Sequence, residues 1–130
     1  MYLDSNVFIH AVLNNQEKGK KARKIISDLN DNRISASTSI LSFDEAIWVI
    51  MKNRGGKKLK EYWEAFLKIP NLKILDMNRN VALKVGNYLE LGFKPADSIH
   101  LALMFEYGID IIVSEDKHFD RIKGITRKSI

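Results

Sequence analysis

The 130-residue chain contains no cysteine and only two prolines. Without cysteine it can form no disulfide, no thiolate zinc site and no cysteine nucleophile. That absence fits a reducing compartment. No Pro-, Gly- or Ser-rich stretch reads as a linker, and no internal repeat or low-complexity segment appears. The longest apolar runs fall far short of the ~20 residues needed to span a bilayer. Met1-Tyr2-Leu3-Asp4 lacks the basic and apolar regions of a signal peptide. The expectation is one domain over residues 1–130, soluble and cytoplasmic, with no membrane partner.

Hydrophobic residues make up 45% of the chain and charged residues 28%, which suits one sizeable core under a solvated surface. The net charge is +5, from 21 basic and 16 acidic residues. A mild basic excess suits nucleic acid but is also common in ordinary proteins. Four acids stand out by their placement: Asp4, Glu45, Asp97 and Asp116. With them set aside, 21 basic residues face 12 acidic ones. An acidic centre in a basic surround is what a metal-dependent enzyme acting on a polyanion needs.

Residues 1–4 read as a short buried strand ending at Asp4, and Ser5 to about Asn14 has helical apolar spacing. A second helix follows over 17–32, then a brief strand over 33–37. Thr38 and Ser39 are good caps for a helix running to about Arg54, where Gly55-Gly56 stops it. An amphipathic helix is expected over 57–69, a turn and strand over 71–77, and a helix over 79–91. Pro95 opens a helix to about residue 107. The β-branched run Ile109 to Ser114 reads as a central strand, 116–121 as a turn or short helix, and the tail from Ile125 as an edge strand. Strands alternating with helices predict an α/β fold with a mainly parallel sheet. Ligands of such sheets bind beyond the carboxyl ends of the strands. If the strands before Asp4 and Asp116 are parallel neighbours, both carboxylates emerge at one edge.

Each acid also has a plain structural role. Asp4 can cap the helix that follows it. Glu45 can form a capping box with Ser42, although Ala46, Ile47, Val49 and Ile50 place it in an apolar segment where a charge needs a partner. Asp44 is its nearest competitor, and the longer side chain of Glu45 favours reach into a site. Asp97 can interact with the dipole of its helix, and His100, on the same face, is placed to bond it as a satisfied polar histidine. Asp116 can serve as a turn residue, with Glu115 and Asp120 beside it facing solvent. As a set, however, the four offer hard oxygen ligands suited to Mg²⁺ or Mn²⁺. A divalent ion there can activate water and offset charge on a phosphoryl group.

Four segments in order resemble the PIN-domain nucleases, above all the small VapC-type toxins. They are Leu3-Asp4-Ser5-Asn6-Val7-Phe8-Ile9, Glu45 early in the third helix, Pro95-Ala96-Asp97-Ser98-Ile99-His100-Leu101-Ala102, and Ser114-Glu115-Asp116-Lys117-His118-Phe119. The resemblance implies a three-layer α/β/α sandwich and Mg²⁺-dependent hydrolysis of RNA, with Mn²⁺ able to replace Mg²⁺. It maps Asp4, Glu45, Asp97 and Asp116 onto the family's acidic quartet as catalytic, metal-binding residues. Asp4 and Asp97 are the firmest ligands, and Glu45 and Asp116 serve a second ion or metal-bound waters. Ser5 and Ser114 match hydroxyl positions that orient those acids. Glu115 departs from the pattern, where a neutral residue is frequent. The resemblance also implies a cognate antitoxin protein and a homodimer, for which Trp48, Tyr62, Trp63 and Phe66 could supply a surface, although aromatics at helical spacing are more often core. Arg54, Lys57, Lys58, Arg79 and Lys117 are candidates to hold the RNA backbone.

Two other classes stay open at this stage. One is a non-catalytic RNA-binding or partner-binding PIN-like module. The other is a phosphoryl-transfer domain with Asp4 as nucleophile, which Asp-x-Asp would favour; residue 6 is Asn.

Overall fold

The computed structural model describes residues 1–130. In chain order the elements are β1 (Tyr2–Leu3), α1 (Ser5–Leu13), α2 (Glu17–Asn30), β2 (Ala36–Thr38), α3 (Ile40–Arg54), α4 (Leu59–Leu67), β3 (Leu72–Ile74), α5 (Arg79–Glu90), α6 (Pro95–Glu106), β4 (Ile111–Val113), a 3₁₀ turn (Lys117–Arg121) and β5 (Thr126–Lys128). The five strands form one sheet in the order β3-β2-β1-β4-β5, with every pairing parallel. The expected α/β fold is therefore present, and its sheet is wholly parallel.

The pleat sorts side chains onto two layers. Tyr2 sits opposite Ile112, and Leu3 opposite Val113. Leu3 and Val113 join the apolar cluster of α1 to α4, built around Val7, Phe8, Leu29, Phe43, Ile50 and Phe66. Tyr2 and Ile112 face the other way, into the cluster of α5 and α6 with Val81, Leu101, Met104 and Phe119. Phe8 packs edge-on against Phe43 at 5.0 Å and tilted against Phe66 at 5.2 Å. No helix is long and apolar enough to cross a membrane.

Two boundaries differ from expectation for visible reasons. The strand expected over 33–37 begins at Ala36. Arg33 and Ile34 instead donate their backbone N–H groups to the Asp28 carbonyl at 2.8 and 3.3 Å, closing α2 with Asn32 at φ 58°. Thr38 is consequently a strand residue and no cap; its hydroxyl donates to the Leu3 carbonyl at 2.7 Å. The run from Ile109 likewise contributes only Ile111–Val113 to the sheet. Ile109 N–H is used to close α6 on the Met104 carbonyl at 2.8 Å, across Gly108 at φ 65°.

One close approach fixes the corner between α1 and α2. A Cβ on Gly19 would lie 1.6 Å from the Asn14 carbonyl oxygen, so only glycine fits there.

β1 sits between β2 and β4, which makes it the point where the order of strands reverses. Such a switch point opens a crevice beyond the carboxyl ends of the strands. Asp4 follows β1 and Ser114 follows β4, so both stand at this crevice. α3 starts there too, because it follows β2. α6 also starts there, because it must run back across the sheet to lead into β4.

Candidate active site

Asp4 is 5% exposed and its carboxylate is held on both oxygens. Oδ1 accepts the Ser5 backbone N–H at 2.7 Å and the Ser5 hydroxyl at 3.3 Å. Oδ2 accepts the Ser114 hydroxyl at 2.5 Å and the Asn6 amide at 2.9 Å. The capping role is real, since Asp4 is the N-cap of α1. It coexists with placement in the crevice. Ser5 and Ser114 orient the acid as expected from their positions.

Glu45 lies one turn into α3, and no capping box with Ser42 forms. The N-cap position is Ser39 and makes no side-chain cap bond; the Ser42 hydroxyl points to the Leu3 carbonyl instead. Glu45 Oε1 accepts from His100 Nε2 at 2.8 Å. His100 Nε2 also lies 3.7 Å from Asp4 Oδ1. The expected His100 contact with Asp97 is not made: the ring turns toward Glu45 and Asp4. Asp44, the competitor, lines a separate apolar groove with Ile40, Trp63, Met77 and Ile99.

Asp97 is in the first turn of α6, and Asp116 caps the 3₁₀ turn by accepting the His118 backbone N–H at 2.9 Å. His118 Nδ1 bridges the two, 3.1 Å from Asp116 Oδ1 and 3.9 Å from Asp97 Oδ2. Asp97 Oδ2 is buried and receives no hydrogen bond. Burial, then the neighbouring Asp116 charge, pushes the Asp97 carboxyl above the ordinary carboxylate range; Asp4 adds to this, while His100 and His118 oppose it.

The four acids thus fall into two groups at one crevice. Asp4, Glu45 and His100 offer ligand atoms within 4.8 Å of one another, and so do Asp97, Asp116 and His118. Oxygen-rich donor sets of this kind fit a hard divalent cation. A buried, unpartnered carboxylate oxygen beside a second carboxylate is the specific fit, because a cation would satisfy both.

Neighbouring residues are placed as follows. Glu115 does not face solvent freely. It pairs with Lys18 and accepts the Ile130 backbone N–H, turned away from the quartet. Asp120 pairs with Arg127 on the surface. Arg54, Lys57 and Lys58 group with Tyr62 in an open pocket at the far end of α3, about 13 Å along the helix from Glu45. Phe66 is core, Tyr62 and Trp63 pack against it half-buried, and Trp48 is 54% exposed with Lys52 over its ring. Tyr2, Asn6 and His118 are site neighbours that spacing did not single out. Asn6, two residues after Asp4 at the start of a helix, was the one readable signal among them.

The family described as PIN domain matches residues 1–125 of the chain. No curated protein sequence matches it. Solved structures share its fold at low identity. VapBC2 from Rickettsia felis, bound to a DNA fragment from its promoter, superposes with a TM-score of 0.73 at 16% identity, over 98% of this chain and 96% of that one. The sarcin–ricin loop cleaving toxin VapC20 of Mycobacterium tuberculosis gives 0.66 at 10% identity, over 85% of each chain. A toxin–antitoxin complex from Klebsiella pneumoniae gives 0.65 at 15% identity, over 96% and 94%.

Proposed function

The chain belongs to the PIN domain family, and from that premise we propose that it is a metal-dependent endoribonuclease, acting in one domain over residues 1–130. The observation that carries this reading is the buried Asp97 Oδ2, left without a donor and set beside Asp116. Two neighbouring carboxylates, one with a buried oxygen that no donor reaches, suit a cation better than each other.

Asp4, Glu45, Asp97 and Asp116 would hold Mg²⁺, with Mn²⁺ able to replace it. A divalent ion bound there supplies an acidified water and offsets charge on the phosphoryl oxygens. The chain's own residues do the rest. Ser114, Asn6 and Ser5 fix the Asp4 carboxylate. His118 spans Asp97 and Asp116. Exposed cations, among them Lys117 next to Asp116 and Arg79 at the start of α5, would hold the RNA backbone through its phosphates. No side-chain nucleophile is required.

Within this reading the protein is the toxin of a type II toxin–antitoxin pair, active in the cytoplasm as a homodimer and neutralised by a cognate antitoxin. Support comes from the toxin and toxin–antitoxin proteins that share the fold.

The test is RNA cleavage by Asp4→Asn and Asp97→Asn proteins in Mg²⁺, with folding checked by circular dichroism. Loss of cleavage in both, with folding intact, is the expected result. Undiminished cleavage in both overturns the proposal. A wild-type protein that binds RNA and yields no Mg²⁺-dependent product is a binding module. Relief of growth arrest by a small neighbouring gene would establish the antitoxin.

A further inference from the structure

His100 is 1% exposed and bonded on both ring nitrogens. Its Nε2 faces Glu45 Oε1 at 2.8 Å and Asp4 Oδ1 at 3.7 Å. Its Nδ1 lies 2.7 Å from the Tyr2 hydroxyl, which in turn lies 2.7 Å from the Ser39 hydroxyl. From these contacts we infer that His100 is a positioning residue, an N–H donor that turns Glu45 into the site, and not a ligand of the metal. The inference rests on the reading of Glu45 as a metal-site acid.

Carboxylate oxygens accept hydrogen bonds and do not donate them. The 2.8 Å contact therefore requires a hydrogen on Nε2. A ring nitrogen that carries a hydrogen has no lone pair for a cation. Coordination by Nε2 would require that hydrogen to leave and Glu45 to swing away.

The surroundings oppose that change. Tyr2 is fully buried, and burial pushes its phenol above the ordinary range, so it remains a neutral hydroxyl. It holds Nδ1 at one end and packs edge-on against the ring, with centroids 5.4 Å apart. The chain Ser39–Tyr2–His100–Glu45 thus runs from the end of β2, through β1 and α6, to α3. It fixes the ring in plane and aims Nε2–H at one carboxylate oxygen. α6 also presents Asp97 one turn earlier, so the same helix fixes an acid of each group. Partners that orient metal-binding side chains typically matter 10- to 100-fold in metal affinity.

Two measurements test this. In metal-free protein with ¹⁵N-labelled histidine, the long-range ¹H–¹⁵N spectrum of His100, assigned by His100→Gln, should show a hydrogen on Nε2 that persists through a Mg²⁺ titration. An unprotonated Nε2, or loss of its hydrogen as Mg²⁺ binds, overturns the inference. In the second measurement, Mn²⁺ affinity is followed by calorimetry for His100→Phe, His100→Gln, Glu45→Ala and the double variants. His100→Phe should weaken binding about 10-fold, and His100→Gln, which keeps an N–H donor, should recover most of it. In the Glu45→Ala background His100→Phe should cost nothing more. An equal loss in both backgrounds marks an independent ligand and overturns the inference. Should His100→Phe fail to fold, the nitrogen spectrum of the unaltered chain decides. A wild-type protein that binds no Mn²⁺ sinks the metal-site reading instead, and the metal-free spectrum still decides whether His100 donates to Glu45.

Discussion

The Ser114 hydroxyl donates to Asp4 Oδ2 at 2.5 Å, joining residues 110 positions apart. The Ser114 hydroxyl oxygen in turn accepts the Asp116 backbone N–H at 3.0 Å and the Asn6 amide at 3.4 Å. One buried hydroxyl thus ties the turn after β4 to the turn after β1. Ser114→Ala should destabilise the protein by about 1–3 kcal/mol, since it strips a donor from a buried carboxylate and an acceptor from a backbone N–H. Urea denaturation would measure this. A loss under about 0.5 kcal/mol, the range of an ordinary surface substitution, would show that the bond is dispensable.

Asp97 should make the metal-free protein less stable at neutral pH. Its carboxyl is raised by burial and by Asp116, so between the ordinary carboxylate value and its folded value the folded state holds the proton more tightly. Stability therefore falls as pH rises through that window, and the ionised, unpaired group weighs in full above it. In the presence of a chelator, Asp97→Asn should melt at a higher temperature than wild type at pH 7 and lose this part of the pH dependence. Equal or lower melting temperatures would contradict the reading of Asp97 as a group under electrostatic strain.

Mg²⁺ should reverse that order. A ligand that binds only the folded state at 100 times its dissociation constant adds ~2.7 kcal/mol. Wild-type protein should gain melting temperature with Mg²⁺ concentration, and Asp97→Asn should gain little. Parallel rises in both would mean that the ion binds elsewhere.

Gly19→Ala should be among the most damaging small substitutions in the chain. The added carbon would sit 1.6 Å from the Asn14 carbonyl oxygen, a backbone atom with no freedom to turn aside. Overpacking of this kind costs about 3 kcal/mol. Thermal unfolding of the variant would read it directly. Gly86→Ala, with nothing near its Cβ, is the matched control and should be neutral or mildly stabilising.

The sequence carried the parallel sheet because β1 and β4 are short apolar runs ending in acids, with helical spacing between them. It carried the placing of Asp4 and Asp116 at one edge of the sheet for the same reason: neighbouring parallel strands deliver their ends to one edge. What it could not carry was orientation. His100 sits three residues from Asp97, so helical spacing pointed it there, yet its ring turns toward Glu45 because Tyr2 holds the other nitrogen. Thr38 looked like a cap, but the closing of α2 on the Asp28 carbonyl shifted the strand along the chain. Glu115 looked solvent-facing because its partners, Lys18 and Ile130, are distant in sequence. The misses at His100 and Glu115 depended on contacts between elements, which local spacing does not contain.

The position of β1 has a consequence for how the protein is made. β1 precedes the other four strands of the sheet along the chain, yet one of its edges pairs with Ile111–Val113. Contacts of such sequence separation form late. A ribosome-bound chain presents Asp4 and Glu45 early but cannot assemble the crevice until residue 116 has emerged. The four acids of the proposed metal site are therefore brought to one edge only after synthesis has passed residue 116, and any activity that depends on all four would wait for that point.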